Sequence, residues 1–318
     1  PSTAGGYNAN QYFGSTGQRE GDHYILRYNR DKDQYGDYIK WQFLDISLYE
    51  ARLTLYNALV YASESTTLDL SSYTTVYETS TNLDELRDAA TELDGKVFAE
   101  IIKDASPDNP VDLTYYLANP SFESNDARGW TMETGGSVNY QEVEFYGKTI
   151  NMYQEVTGFP AGKYILKAQG FERPQDDAGV AYRAGTETIY ARLYAKSEIF
   201  PEASIPFNSV YKYPYSGEGT HNGYVAGMSS AARAFAEGLY EMELAEIMLA
   251  EDDVLTIGAK SDFKRPAYWV MFDNFRILYL GFDQNELVTL VQQQIDVAQA
   301  IKDDKMQNIV KGNLTSAL

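Results

Sequence analysis

The sequence predicts a mixed fold, an antiparallel β-sandwich carried between helical segments. Two observations predict it. Residues 112–281 hold many short strand-like runs, punctuated by turn residues such as Tyr146-Gly147, Phe159-Pro160-Ala161-Gly162 and Glu251-Asp252-Asp253. Residues 47–111 and 282–318 instead carry apolar stripes at helical spacing. Many strands at such close spacing argue for a sandwich rather than parallel βαβ units. The expected division of the 318 residues is a β-hairpin segment over 1–46, a helical spacer over 47–111, the sandwich over 112–281 and a helical segment over 282–318.

Taken in order, residues 1–21 show little periodicity and read as loose. His23–Tyr28 and Tyr38–Phe43 read as two strands of a hairpin, with Ile39, Trp41 and Phe43 on one face. A lone hairpin is marginal in water, so the segment is expected to be the tail of an upstream domain. Ser47 and Glu50 have capping-box spacing, and Leu48, Arg52, Leu55, Leu59 and Ala62 fall on one stripe, predicting a helix from about 47 to 64. Leu70, Tyr73, Val76 and Tyr77 predict a short helical turn. Asn82 and Glu85 repeat the cap spacing before Leu83, Leu86, Ala90, Leu93, Val97 and Ile101, the clearest seam in the chain.

Pro107-Asp108-Asn109-Pro110 leads into the strand region. Strands are expected at 137–145, 149–156, 162–171, 188–195, 209–213, 239–249, 254–259 and 268–279, with one short helix at 229–237 stopped by Gly238. After Gly281, Asp283 and Glu286 again have cap spacing. Leu287, Leu290, Val291, Gln294, Ala298 and Ile301 form a stripe, with Ile309, Val310 and Leu314 starting a partner. This repeats the opening of the first spacer and suggests a longer protein in which spacers and sandwiches alternate.

Composition narrows the function. A net charge of -20 with no basic run opposes nucleic acid and anionic membrane surfaces, and no apolar run is long enough to span a bilayer. With no cysteine and only His23 and His221, thiol chemistry, disulfides and zinc clusters are excluded. His221 lacks a motif marking a nucleophile, and Asp176-Asp177 and Asp252-Asp253 read as solvated turns, so the chain is not expected to be an enzyme. The start at Pro1 suggests that a leader or upstream domain has been removed, and the composition leans extracellular or cell-surface.

The stretch Asn119-Pro120-Ser121-Phe122-Glu123 with Gly129-Trp130, answered by Trp269–Phe275, organises the strand half. Asn119-Pro120 reads as an extended start. If the first and last strands lie side by side, Glu123 and Asp273 approach closely enough to share a hard cation such as calcium. Ligand contacts are expected from loop aromatics and their neighbours: Phe171, Arg173, Tyr182, Tyr215, Tyr224 and Tyr268, with Lys264-Arg265 beside the last. Ring faces and a few polar groups suit sugars.

These same signatures, with Tyr153–Tyr164 and Phe272–Ile277, resemble the jelly-roll carbohydrate-binding modules of the galactose-binding-like superfamily, over about residues 112–281. Ala231–Tyr240 followed by Leu255–Gly258 also resembles multidomain surface proteins of gut Bacteroidetes. The resemblance implies a jelly roll, a structural calcium held by Glu123 and Asp273 with main-chain carbonyls, and a glycan partner. It implies a non-catalytic carbohydrate-binding module of a secreted or surface protein. The alternative is a structural or protein-interaction module, adhesin-like, that positions neighbouring domains.

Overall fold

The computed structural model describes residues 14–20, 23–27, 46–175, 177, 179–282 and, near the C-terminus, 288–289, 292–293, 295–305 and 307. The chain divides into two compact units, Pro1–Gly95 and Lys96–Leu318, with the division inside a helix.

The first unit opens with strands β1 (Gly14–Glu20) and β2 (His23–Arg27), paired antiparallel from Gly14↔Arg27 to Glu20↔His23. The expectation of a loose start fails here, because main-chain pairing forms this ladder without an apolar pattern to announce it. Tyr38–Phe43, expected to pair with β2, lies outside the described residues. Helices α1 (Ile46–Ser65), α2 (Ser71–Thr79) and α3 (Leu83–Ile101) follow. α1 buries Ala51, Leu55, Ala58 and Ala62, while α3 buries Leu86, Ala90 and Leu93. Asn82 caps α3, its Oδ1 accepting from Asp84 N at 2.9 Å and Glu85 N at 3.3 Å. The Arg52 guanidinium donates to the carbonyls of Tyr77 and Ser80, closing the C-terminal end of α2 against α1.

The second unit contains β3 (Val111–Asp112), β4 (Thr131–Met132), β5 (Ser137–Asn139), β6 (Glu142–Tyr146), β7 (Ile150–Val156) and β8 (Gly162–Arg173). Then come α4 (Val180–Arg183), β9 (Arg192–Lys196), β10 (Ala203–Pro206), β11 (Asn208–Ser209), β12 (Thr220–His221), β13 (Tyr224–Val225), α5 (Met228–Ala236), β14 (Glu241–Leu249), β15 (Leu255–Ser261) and β16 (Trp269–Tyr279). One sheet runs β10-β9-β15-β7-β4. The other runs β11-β8-β16-β6-β5, with β14 also on β8 and β3 also on β16. Among the described residues all pairs are antiparallel except β11 with β8.

The sheets share one core, to which one contributes Val143, Phe145, Leu166, Phe272 and Ile277 and the other Met152, Leu193, Ile257 and Ala259. The architecture is therefore an antiparallel sandwich with helices. A satellite core of Phe171, Tyr211, Phe235, Tyr240, Trp269 and Met271 forms where α5 packs beside the larger sheet. Gly238, at φ 79, ends α5 as expected, with Gly238 N donating to Phe235 O at 2.8 Å.

Three strand expectations change. The strand expected over 137–145 is a hairpin, because Tyr140 and Gln141 adopt φ 57 and 64 and reverse the chain between β5 and β6. The strand expected at 209–213 is only Asn208–Ser209 followed by a 3-10 turn, with Ser209 Oγ accepting from Tyr211 N at 3.1 Å. Asn119-Pro120 is not an extended start. Asn119 sits at φ 46 and the chain turns through residues 119–129. The first strand of the sandwich is β3, which pairs with the end of β16 through Leu278↔Asp112 and Tyr279↔Val111.

The expected closure of the sandwich is nevertheless present. Phe122 lies 6.4 Å from Phe272 and 6.5 Å from Phe275, and Trp130 lies 4.6 Å from Phe275, by ring centroids. Phe275 N donates to Pro120 O at 2.9 Å. Gly129 is required at this joint, since at φ 80 a Cβ would fall 2.3 Å from that of Ala118. Beyond Gly281, residues 295–305 are helical, while 283–287, Leu290, Val291, Gln294 and 308–318 lie outside the described residues.

Candidate functional site

Two candidate places stand out among the described residues of the sandwich. The first is the corner where the 119–129 turns meet β6 and β16. The pairing of β16 with β8 shifts register between Asp273 and Arg276, and Asn274 takes φ 54, forming a bulge. Asn274 Nδ2 donates to Gln169 Oε1, which fixes the bulge to β8. The bulge leaves both Phe272 and Phe275 in the core and Asp273 only 9% exposed, with Oδ1 unpartnered. Glu142, at the start of β6, is fully buried and neither carboxyl oxygen has a partner.

Burial pushes Glu142 up to about 9, with the charges of Asp273 and Glu144 adding to the effect. Burial likewise pushes Asp273 up to about 8; the Asn274 N–H opposes this and the Glu123 charge reinforces it. Glu123 itself is exposed and accepts from Gln141 Nε2 at 2.6 Å, while Gln141 N donates to Asn125 Oδ1 at 2.8 Å. The structure thus brings Glu123 and Asp273 into electrostatic reach and adds Glu142, which the sequence reading missed.

Among the described residues, no group of three or more His, Cys, Asp or Glu side chains forms a ready metal cluster. A calcium ion here would draw part of its shell from main-chain oxygens. The fit rests on the orphaned oxygens. Buried carboxylates without donors are costly, and a hard cation with oxygen preference compensates them.

The second place is an open cleft of about 620 Å3 on the outer face of the five-stranded sheet. Its floor follows from strand alternation, since inward Met152, Leu193, Ile257 and Ala259 leave the intervening residues outward. Register sets them in rows. Tyr153, Gly258 and Tyr194 form one row across β7, β15 and β9; Glu155, Thr256 and Lys196 form the next. Asn151, Lys260 and Arg192 form the third, with Glu133 at its β4 edge, where Asn151 Nδ2 donates to Glu133 Oε2 at 2.7 Å. Gly258 permits the close approach of β15 to β7, since a Cβ there would lie 2.2 Å from Met152 O.

Lys260 bridges to Glu202 at 2.5 Å and places its ammonium 4.9 Å from the Tyr194 ring centroid. Arg192 is held by Ser204, to Oγ at 2.9 Å and to O at 2.8 Å. Burial and the surrounding charges of Glu202, Glu133 and Glu155 raise the Tyr194 hydroxyl. At the rim Tyr190 stacks on Phe263 with centroids 3.8 Å apart.

None of the six sequence-predicted ligand residues lines this cleft. Phe171 and Tyr268 are fully buried, Phe171 among Tyr240, Phe235 and Trp269, and Tyr268 with its hydroxyl donating to Ser261 Oγ at 2.7 Å. Neither presents a ring face to a ligand, because the satellite and main cores absorb them. Arg173 is half-buried over Trp269 at 4.9 Å. Tyr215 and Tyr224 border the same satellite core, Tyr215 donating to Glu237 Oε1 at 2.8 Å and Tyr224 meeting Tyr211 edge-on at 5.1 Å. Tyr182 stands exposed on α4. The missed cleft had a signal in the alternation of Asn151, Tyr153 and Glu155 with Ile150, Met152 and Val156. Only strand order, however, shows which faces lie side by side.

No family model matches the chain, and no curated protein matches it in sequence.

Proposed function

We propose that the sandwich is a non-catalytic carbohydrate-binding module of a secreted or cell-surface multidomain protein, of jelly-roll, galactose-binding-like type. The single observation that carries this is the outer-face cleft. It combines tyrosine rings with hydroxyl, amide and charged groups set by strand register, the mixture that sugar recognition uses. Its ligand is a glycan, and Glu123 and Asp273, completed by main-chain oxygens, hold a structural calcium that stiffens the closure. Residues of the cleft, rather than the six loop positions, do the binding in this reading.

A glycan-array screen followed by calorimetry tests it. Saturable binding that Tyr153→Ala weakens at least tenfold, with melting unchanged, is the expected result. Binding that survives Tyr153→Ala and Lys260→Ala would move the site elsewhere.

A second reading, a protein-interaction module, has its own observation. α1 exposes Ile46, Tyr49, Leu53, Tyr56 and Val60, spaced three and four residues apart, on a seam separate from its buried residues. A silent glycan screen on folded protein, together with self-association abolished by Leu53→Glu, would transfer the function to this face.

A further inference from the structure

We propose that the sheet-face cleft selects a glycan carrying both amino and acid groups, with Glu155 receiving the ammonium and Lys196 the acid. The inference rests on the glycan-binding reading above and names its ligand class. Its ground is the distribution of charge across the cleft floor. Glu155 and Lys196 share a row on either side of Thr256, so one strand lies between them. Two strand spacings put their main chains about 10 Å apart, and among the described residues no ion pair joins their side chains. Both are exposed, and among the described residues neither side chain has a hydrogen bond or an ion pair.

Of the other cations in the cleft, Lys260 is paired with Glu202, while Arg192 is hydrogen-bonded to neutral Ser204 and keeps its charge. Charged groups of both signs therefore remain open to a ligand, Glu155 and Asp262 on the acidic side and Lys196 and Arg192 on the basic side, with Glu155 and Lys196 flanking Thr256 in one row. A polyanion meets Glu155, Glu133 and Glu202, and the chain's net charge of -20 repels it further. A polycation meets Lys196, Arg192 and Lys260. A chain that alternates the two signs meets complementary groups on both sides, and like-charge contacts reject the others.

Calorimetry on the intact chain tests this with four probes: a glucosamine-glucuronic acid oligosaccharide with free amines, its N-acetylated form, its carboxyl-reduced form and a neutral gluco-oligosaccharide. The zwitterionic probe is expected to bind best, by about fivefold for each charge, with the preference shrinking in high salt. Glu155→Gln should erase its advantage over the N-acetylated form alone, and Lys196→Met its advantage over the carboxyl-reduced form alone. Equal binding of neutral and zwitterionic probes, unchanged by either variant, overturns the charge assignment and leaves the glycan reading standing. Binding of none of the four by folded protein, with a silent array, overturns both.

Discussion

Glu142 and Asp273 show how much one burial event decides. With carboxyls near 9 and 8, the folded chain keeps protons that the unfolded chain has lost above its ordinary carboxylate range. Stability therefore falls as pH rises from about 4 toward those values, the direction set by more protons bound in the folded state. In calcium-free buffer the melting temperature should drop between about pH 5 and about pH 8, and saturating calcium should remove most of that slope. Glu142→Gln should raise calcium-free melting at the alkaline end, and Asp273→Ala should blunt the calcium response. Differential scanning calorimetry with and without chelator reads both, and a flat wild-type profile with no calcium shift would retire the metal. Glu123 and Asp273 were legible as residues flanking the two apolar signatures. Glu142 was not. Period-two reading sets it with Glu144 on the face opposite Val143, where a carboxylate is expected to be solvated, yet it is buried as fully as Val143.

The same limit appears for rings. Phe171 and Tyr268 read as loop aromatics because strands were expected to stop near them, but β8 extends to Arg173 and Tyr268 leads directly into β16.

Among elements, the sheet-face strands depend on main-chain proximity. Gly258→Ala has no room for its methyl against Met152 O, so β15 must pull away from β7, and a loss of about 2–4 kcal/mol in urea unfolding is expected. A loss under ~0.5 kcal/mol would mean the strands sit farther apart. α1 makes the opposite case. Leu53 is 43% exposed, so Leu53→Glu should shift stability by no more than ~0.5 kcal/mol while removing any association through that face. Helices α1 to α3 were legible to within a few residues because seam and length agree, although only the expected cap of α3, Asn82, is formed; Ser47 lies inside α1. The outer seam of α1 escaped notice because a stripe was sought on one face only.

For the molecule as a whole, the two aromatic signatures meet as expected and the sandwich class follows from turn spacing. Strand order was beyond reach. β16 lies between β8 and β6, strands far from it in the chain, and nothing local in Trp269–Tyr279 names those neighbours. The cleft was hidden for this reason, since its rows join residues about a hundred positions apart.

One feature of the topology bears on mechanics. β3 and the end of β16 pair antiparallel, with Val111 opposite Tyr279 and Leu113 N donating to Ile277 O. The chain thus comes into the sandwich and leaves it at neighbouring points, like the two wires of a plug. Tension on the flanks would load this pair as a zipper from its open end, breaking rungs in turn instead of shearing them together. By the same token, the sandwich could be grafted into a surface turn of an unrelated scaffold with little distortion of the host.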